Sequence, residues 1–262
     1  MRRLLLGLSV FVLSFVALGF IALPVVAIFA RVSPARLVAQ LGNGVVTDAL
    51  VVSLKTTFIA QALILVFGTP AAYLLATRRF VGRSVLVTLV ELPLVLPPAV
   101  AGLGLLAAFG RTGLLHTSFP FTQTAVVLAV AFVASPLYVR AAIAAFEAVD
   151  ANIVAASRTL GAGPVRTFFR VVAPLARGGL VAGAALAFAR GLGEFGATIM
   201  FAGSLRGVTQ TLPLAVYAEF DVNFDIALAV SALLVLVSAA LLVTLKWLPS
   251  ISTFRFRFAT ST

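Results

Sequence analysis

Residues 144–178 read AAFEAVDANIVAASRTLGAGPVRTFFRVVAPLARG. The stretch carries Arg158, Arg166, Arg170 and Arg177 between two strongly apolar flanks. A helix can run from about Ala151 to Leu160. Gly161-Ala162-Gly163 supplies its stop, because glycine tolerates a left-handed backbone. Pro164 then opens a second helix, where its missing N–H costs nothing. Val165, Phe168, Phe169, Val171 and Val172 give that helix an apolar face, and Arg158, Arg166 and Arg170 give the pair a charged one. A short helix–turn–helix of this kind suits a groove on a soluble partner. It equally suits a helix lying on the lipid surface, held by its arginines.

The surroundings decide where this segment lives. The 262-residue chain is 62% hydrophobic and 10% charged, with a mean hydropathy of +1.17. A soluble domain of this size needs more charge on its surface. Apolar runs of about 20 residues recur, each long enough for a hydrocarbon core about 30 Å thick. The chain reads as an all-α polytopic membrane protein with six transmembrane helices, near 4–30, 50–76, 84–108, 123–143, 178–202 and 226–248. The formal net charge of +11 does not indicate nucleic acid, since the basic residues gather at span ends and no basic run interleaves with aromatics. There are no cysteines, which excludes disulfides and thiolate metal sites.

With the N-terminus inside, the cytosolic segments hold Arg2, Arg3, Arg78, Arg79, Arg83, Arg140, Arg158, Arg166, Arg170, Arg177, Lys246, Arg255 and Arg257. The external ones hold Arg31, Arg36, Arg111 and Arg206. The bias places both termini in the cytosol of a multi-pass cell (inner) membrane protein. The first apolar stretch, from Leu4 to Ala30, is too long for a signal-peptide core, so it is expected to remain as a span.

Charges and breaks within spans mark candidate path residues. Within the third span, the stretch from Glu91 to Gly104 carries three prolines, two glycines and a carboxylate. Irregular backbone at membrane depth survives only against protein or a wet path, so this is either a kinked structural helix or a broken helix beside a substrate. Arg190 and Glu194, four apart, can pair on one helix face, and they either fix packing or flank a gate. Lys55 either snorkels to the outer interface or draws an anion to the mouth. A strong anion site would hold its cargo too long, so the path is expected to be weakly polar, with Thr56, Thr57 and the backbone near Pro97 and Pro98 as candidates.

Several chemistries are missing. A P-loop needs Gly-x-x-x-x-Gly-Lys-Ser/Thr, and neither Lys55 nor Lys246 fits. No His/Asp/Glu cluster has metal-ligand spacing, so no metal or cofactor is expected. His116 reads as a solvated residue of an external loop. Gly-x-Ser-x-Gly is absent, so no enzyme site is read here.

The 144–178 segment resembles the cytosolic loop of ABC importer permeases, in which Glu-Ala-Ala is followed by a glycine and, thirteen residues later, by the proline of a Leu-Pro pair. Here the frame is Ala155-Ala156-Ser157, Gly161 and Ala173-Pro174. Ala156, Gly161 and Pro174 match. Ala155 stands for the family glutamate, Ser157 for the second alanine and Ala173 for the leucine. The stretches Arg190–Thr198 (RGLGEFGAT), Phe201–Tyr217 (FAGSLRGVTQTLPLAVY) and Leu92–Gly102 (LPLVLPPAVAG) are similar to the oxyanion-importing members, nearest the molybdate permeases, with tungstate and sulfate permeases sharing much of the pattern. The resemblance covers roughly 45–248.

It implies a type I importer (MetI-like) permease core over 45–248, with 1–44 as a transmembrane helix and external loop outside that core; 249–262 is expected to be a short cytosolic tail without a regulatory domain. It implies a second copy of the permease, a cytosolic ABC ATPase dimer and an extracytoplasmic oxyanion-binding protein as partners, all around a lipid bilayer. The coupling residues would be Ala155, Ala156, Ser157, Leu160, Gly161, Pro164, Phe168 and Pro174. The path or gate candidates are Lys55, Thr56, Thr57, Glu91, Pro97, Pro98, Arg190, Gly193, Glu194 and Gly196. The rival reading is a secondary transporter in which Glu91 and Glu194 relay protons.

Overall fold

A computed structural model describes residues 2–32 and 34–247. The expected tail at 249–262, with Arg255 and Arg257, lies outside the described residues. Among these no strand occurs. Five helices are long and apolar enough to cross a membrane: α1 (Arg2–Arg31), α3 (Gly44–Thr77), α6 (Gln123–Glu147), the rod Pro164–Leu192 and α12 (Phe224–Trp247). Short helices α2 (Pro34–Leu41), α7 (Ala151–Thr159), α10 (Gly196–Ala202) and α11 (Leu212–Glu219) join them.

α6 is the mast. It packs on α3 along one side and on α9 (Ala173–Leu192), the main part of the rod, along the other. Small residues permit this. A Cβ at Gly183 would stand 2.6 Å from the Ala141 Cβ, and one at Gly191 2.8 Å from Val130 Cγ1. Lipid gives helices no hydrophobic reason to associate, so close backbone approach and van der Waals contact must hold them together. A hydroxyl tie crosses the packing: the Thr69 and Tyr138 hydroxyls lie 2.5 Å apart between α3 and α6. Near the other end of α3, the Leu212 N–H donates to Ser53 Oγ at 2.7 Å and anchors α11. α1 touches the rest chiefly through α12.

The third expected span, 84–108, is not one helix. It is α4 (Arg83–Val95) and α5 (Pro98–Phe109), whose axes are bent by 117°. The cause is local. Leu96 and Pro97 each precede a proline, and both adopt extended backbone, ψ 134 and 133. The pair still climbs the mast. Arg83 pairs with Glu147 at 2.7 Å and Glu91 with Arg140 at 3.1 Å, while Ala101 and Leu105 share a cluster with Ala125 and Val126 near the other end of α6. Counted as one broken span, the pair brings the candidate crossings among the described residues from five to six.

Two further boundaries differ from expectation. The fifth span does not begin at 178. α8 (Pro164–Thr167), a π turn (Phe168–Val172) and α9 follow without interruption, so the second helix of the loop and the fifth span are one rod. The π turn has a reason in sequence: Pro174 has no N–H for Arg170 O, and widening the preceding turn relieves its ring, with the Ala173 N–H reaching Phe168 O. The rod ends at Leu192 rather than 202, and α10 restarts after a break.

α10 lies against α5. A Cβ at Gly102 would stand 2.7 Å from Ala197 O and 3.0 Å from its Cα, whereas one at Gly104 meets nothing within 4 Å. Gly102→Ala should therefore destabilise the fold by about 1–3 kcal/mol, the usual cost of overpacking. Gly104→Ala, on the same helix, should leave stability unchanged. Thermal unfolding of the two variants in detergent checks the contrast.

Candidate functional site

The loop residues form a built turn. Asp150 caps α7, its carboxylate accepting the Asn152 N–H at 2.8 Å. At the other end the Gly161 N–H reaches Arg158 O at 3.0 Å and the Ala162 N–H reaches Ser157 O at 3.1 Å. This is the doubled bond pattern of a helix closed by a left-handed residue. Gly161 holds φ +81, and Pro164 sits in the first turn of α8. Ser157 locks the corner across the turn, its hydroxyl 3.2 Å from that of buried Thr167.

The turn's exposed surface is apolar and basic. Leu160 is 88% exposed, Val165 71% and Phe169 67%. Ala155, Ala156 and Pro174 are exposed as well. The expected apolar face is divided, however. The Phe168 ring packs on Tyr73 with centroids 4.9 Å apart, Tyr73 packs in turn on Phe146, and Val172 is buried. Phe168 and Val172 root the turn in the bundle, and Val165 and Phe169 face outward.

A second group gathers where α9 ends. Gly193 closes that helix and Gly196 opens α10. Between them Glu194 is 1% exposed, with one carboxylate oxygen 2.6 Å from Arg190 Nη1 and the other accepting the Ala197 N–H at 2.8 Å. One side chain thus balances a guanidinium and caps a restarted helix. Thr57 approaches this level, its Cγ2 lying 3.6 Å from where a Gly191 Cβ would be. Pro98 closes the other side: a Cβ at Gly196 would come within 2.5 Å of its Cβ. Thr57, Pro98, Arg190, Gly193, Glu194 and Gly196 are thus neighbours.

Some candidates have other settings. Thr56 is buried within the single chain, as Thr57 is, and its hydroxyl donates back to Val52 O at 2.7 Å. Lys55 is exposed and donates to Gln123 Oε1 at 2.8 Å, at the start of α6. Pro97 is exposed at the bend. Glu91 lies apart from the cluster, beside Arg140. His116 lies exposed in the α5–α6 loop. Among the described residues no group of His, Cys, Asp or Glu could hold a metal ion.

Gln61 was not among the expected residues. Both polar atoms of its side-chain amide are buried without a hydrogen-bond partner, as is the Thr198 hydroxyl of α10. A signal existed, since Gln61 is the one amide side chain between 50 and 76.

Comparison with known proteins places this geometry. The family model described as the binding-protein-dependent transport system inner membrane component matches residues 64–257. The molybdenum transport system permease protein ModB of Mycobacterium tuberculosis is 44% identical over 229 residues, covering 84% of this chain and 86% of that protein. A probable molybdenum ABC transporter permease protein of Haloferax volcanii is 42% identical over 227 residues, 85% and 83% of the two chains. Two solved structures share the fold. One is the inward-facing MetNI methionine ABC transporter, with TM-score 0.61, 20% identity, and 77% of this chain and 93% of that one covered. The other is a bacterial ABC transporter involved in the import of the acidic polysaccharide alginate, with TM-score 0.66, 17% identity, and 97% and 98% covered.

The Arg190–Glu194 pair predicts an asymmetric response. Arg190→Met leaves a buried carboxylate without its counter-charge and should cost about 3 kcal/mol or more. The double variant Arg190→Met/Glu194→Gln should recover much of that loss, because a glutamine oxygen can still accept the Ala197 N–H. Thermal unfolding in detergent of both variants, beside the parent, reads the difference.

Proposed function

Because the chain belongs to the family of binding-protein-dependent transport system inner membrane components, we propose that it is the permease subunit of an ATP-driven importer that carries molybdate across the cell (inner) membrane. The observation that carries the substrate is identity above 40%, over more than four-fifths of the chain, to permeases named for molybdenum transport. Members of such systems work with an ATPase and a binding protein. The specific assembly proposed is two copies of this chain, an ATPase dimer in the cytosol and an oxyanion-binding protein outside. Both termini are cytosolic in this reading, supported by the basic bias of the inner segments.

The exposed turn around Gly161 supports a docking role. Leu160, Val165 and Phe169 offer apolar contacts of the kind a groove on an ATPase takes. Pro164–Leu192 is one rod of 29 residues, about 43 Å long. It begins at the turn and ends at the Arg190–Glu194 pair. Displacing the turn therefore moves the break at Gly193 as part of the same body, and the cluster beside Pro98 and Gly196 becomes the gate. Two rocking copies would then give alternating access. The gradient-driven rival is disfavoured by the state of its carboxylates. Glu91 and Glu194, which would have to relay protons, each face an arginine.

Cells lacking this chain should show a molybdenum deficit with normal sulfur content. A sulfur deficit would move the assignment to sulfate. Coupling is read separately. A β-branched residue at φ +81 costs about 1–3 kcal/mol of backbone strain and deforms the turn. Gly161→Val should abolish import while the chain still inserts, and Gly161→Asn, which tolerates this backbone, should retain most of it. Normal ATP-coupled import by Gly161→Val would remove the docking role.

A further inference from the structure

A cavity of about 1290 Å³ opens between the end of α3, the α3–α4 turn, the end of α6 and α7. Arg78, Arg79, Arg83 and Arg158 line it, with Glu147 as its carboxylate. Arg83 is already engaged. Its Nη2 lies 2.7 Å from Glu147 Oε1, and its Nε donates to Leu75 O at 2.6 Å. Arg78, Arg79 and Arg158 form no ion pair with any described residue. The cavity thus keeps three guanidiniums in excess of its acid. Ala155, which also lines it, adds no counter-charge.

The opposite wall is apolar. Tyr73, Phe146 and Val172, rooted in the bundle core, form it together with Val154. A cationic rim above an apolar floor suits a ligand with an anionic head and a hydrocarbon body. The location suits it too, because α3 and α6 both span the membrane and the cavity lies at their shared end. Basic pockets between transmembrane helices on the cytosolic side recognise acidic headgroups, and the inner leaflet is rich in anionic lipid. Guanidinium is also the group that binds phosphate through paired donors.

We propose that this cavity binds the phosphate headgroup of an anionic phospholipid from the adjoining leaflet, with Arg78 and Arg79 on one side and Arg158 on the other. The headgroup then cross-links the end of α3 to α7. That link matters because α7 packs mainly on α8 and the π turn and has little other hold on the bundle. The lipid steadies the turn against the body it has to move. This functional consequence rests on the coupling role given to the turn, but the binding does not.

The test is native mass spectrometry of the permease, with and without its ATPase, released from detergent containing phosphatidylglycerol or phosphatidylcholine of equal chain length. The parent should retain phosphatidylglycerol several-fold over phosphatidylcholine. Arg78→Gln/Arg79→Gln/Arg158→Gln should lose that preference. The charge-preserving Arg78→Lys/Arg79→Lys/Arg158→Lys should keep most of it, and Arg31→Gln/Arg111→Gln, outside the cavity, should keep all of it. Undiminished retention by the glutamine variant overturns the proposal. So does displacement of the lipid by millimolar inorganic phosphate, which marks a free-anion site. Loss of lipid whenever the ATPase is bound also overturns it, since the partner then fills the cavity. None of these measurements requires transport, so a different cargo or an uncoupled Gly161 variant would leave the result standing.

Discussion

Inside hydrocarbon every backbone N–H and C=O must find its partner within the protein, and the rest of this structure follows from that demand. It forces helices through the bilayer, and it makes each interruption expensive. Among the described residues two helix breaks, Leu96-Pro97 and Gly193-Glu194-Phe195, lie together, with Pro98 packed against Gly196. At the first, proline removes two donors that would otherwise go unmet. At the second, the Glu194 carboxylate takes the Ala197 N–H that the broken helix leaves free. A charge would be costly there, yet Arg190 on the last turn of α9 neutralises it.

The same demand separates the polar from the close-packed parts. Along the mast alanines and glycines let backbones approach, with valine and aromatic side chains filling between them. The other charged pairs are more exposed: Arg83–Glu147 and Arg140–Glu91 fasten α4 to α6, and Arg206–Asp48 fastens the α10–α11 loop to α3. Partly hydrated pairs of this kind add little stability, but they fix which helix lies beside which.

What the sequence discloses depends on how local the cause is. The stop at Gly161 and the start at Pro164 were legible because turn chemistry needs only neighbouring residues. The Arg190–Glu194 pair was legible because four residues make one helical turn. The prolines near Leu96 announced an irregular span but left a kink and a break open, and the 117° angle was not legible, since it depends on packing against α6 and α10. The continuity of Pro164–Leu192 was hidden by Arg166, Arg170 and Arg177, whose charge reads as loop although their side chains leave an unbroken backbone. Pairings set by topology, Glu91 with Arg140 and Lys55 with Gln123, carry no local signature. The division of the loop's apolar residues between core and surface was hidden for the same reason: Phe168 and Phe169 are adjacent and chemically identical, and only Tyr73 decides which turns inward.

That division bears on how force could pass through the molecule. A turn exposed on all sides would bend when pushed. Here Phe168 and Val172 key the turn into the cluster of Tyr73 and Phe146, so a push on Leu160, Val165 or Phe169 meets a packed side chain within one turn of helix. Packed interfaces respond by shifting between discrete arrangements rather than by yielding continuously. The π turn occupies this junction, at the point where the rod leaves the loop and enters the bundle. The widened turn shifts the bond ladder without interrupting it, so the loop's second helix and α9 stay one continuous body. The sequence that produces it, Pro174 behind two phenylalanines and two valines, thereby sets the widened turn and the key at the same place.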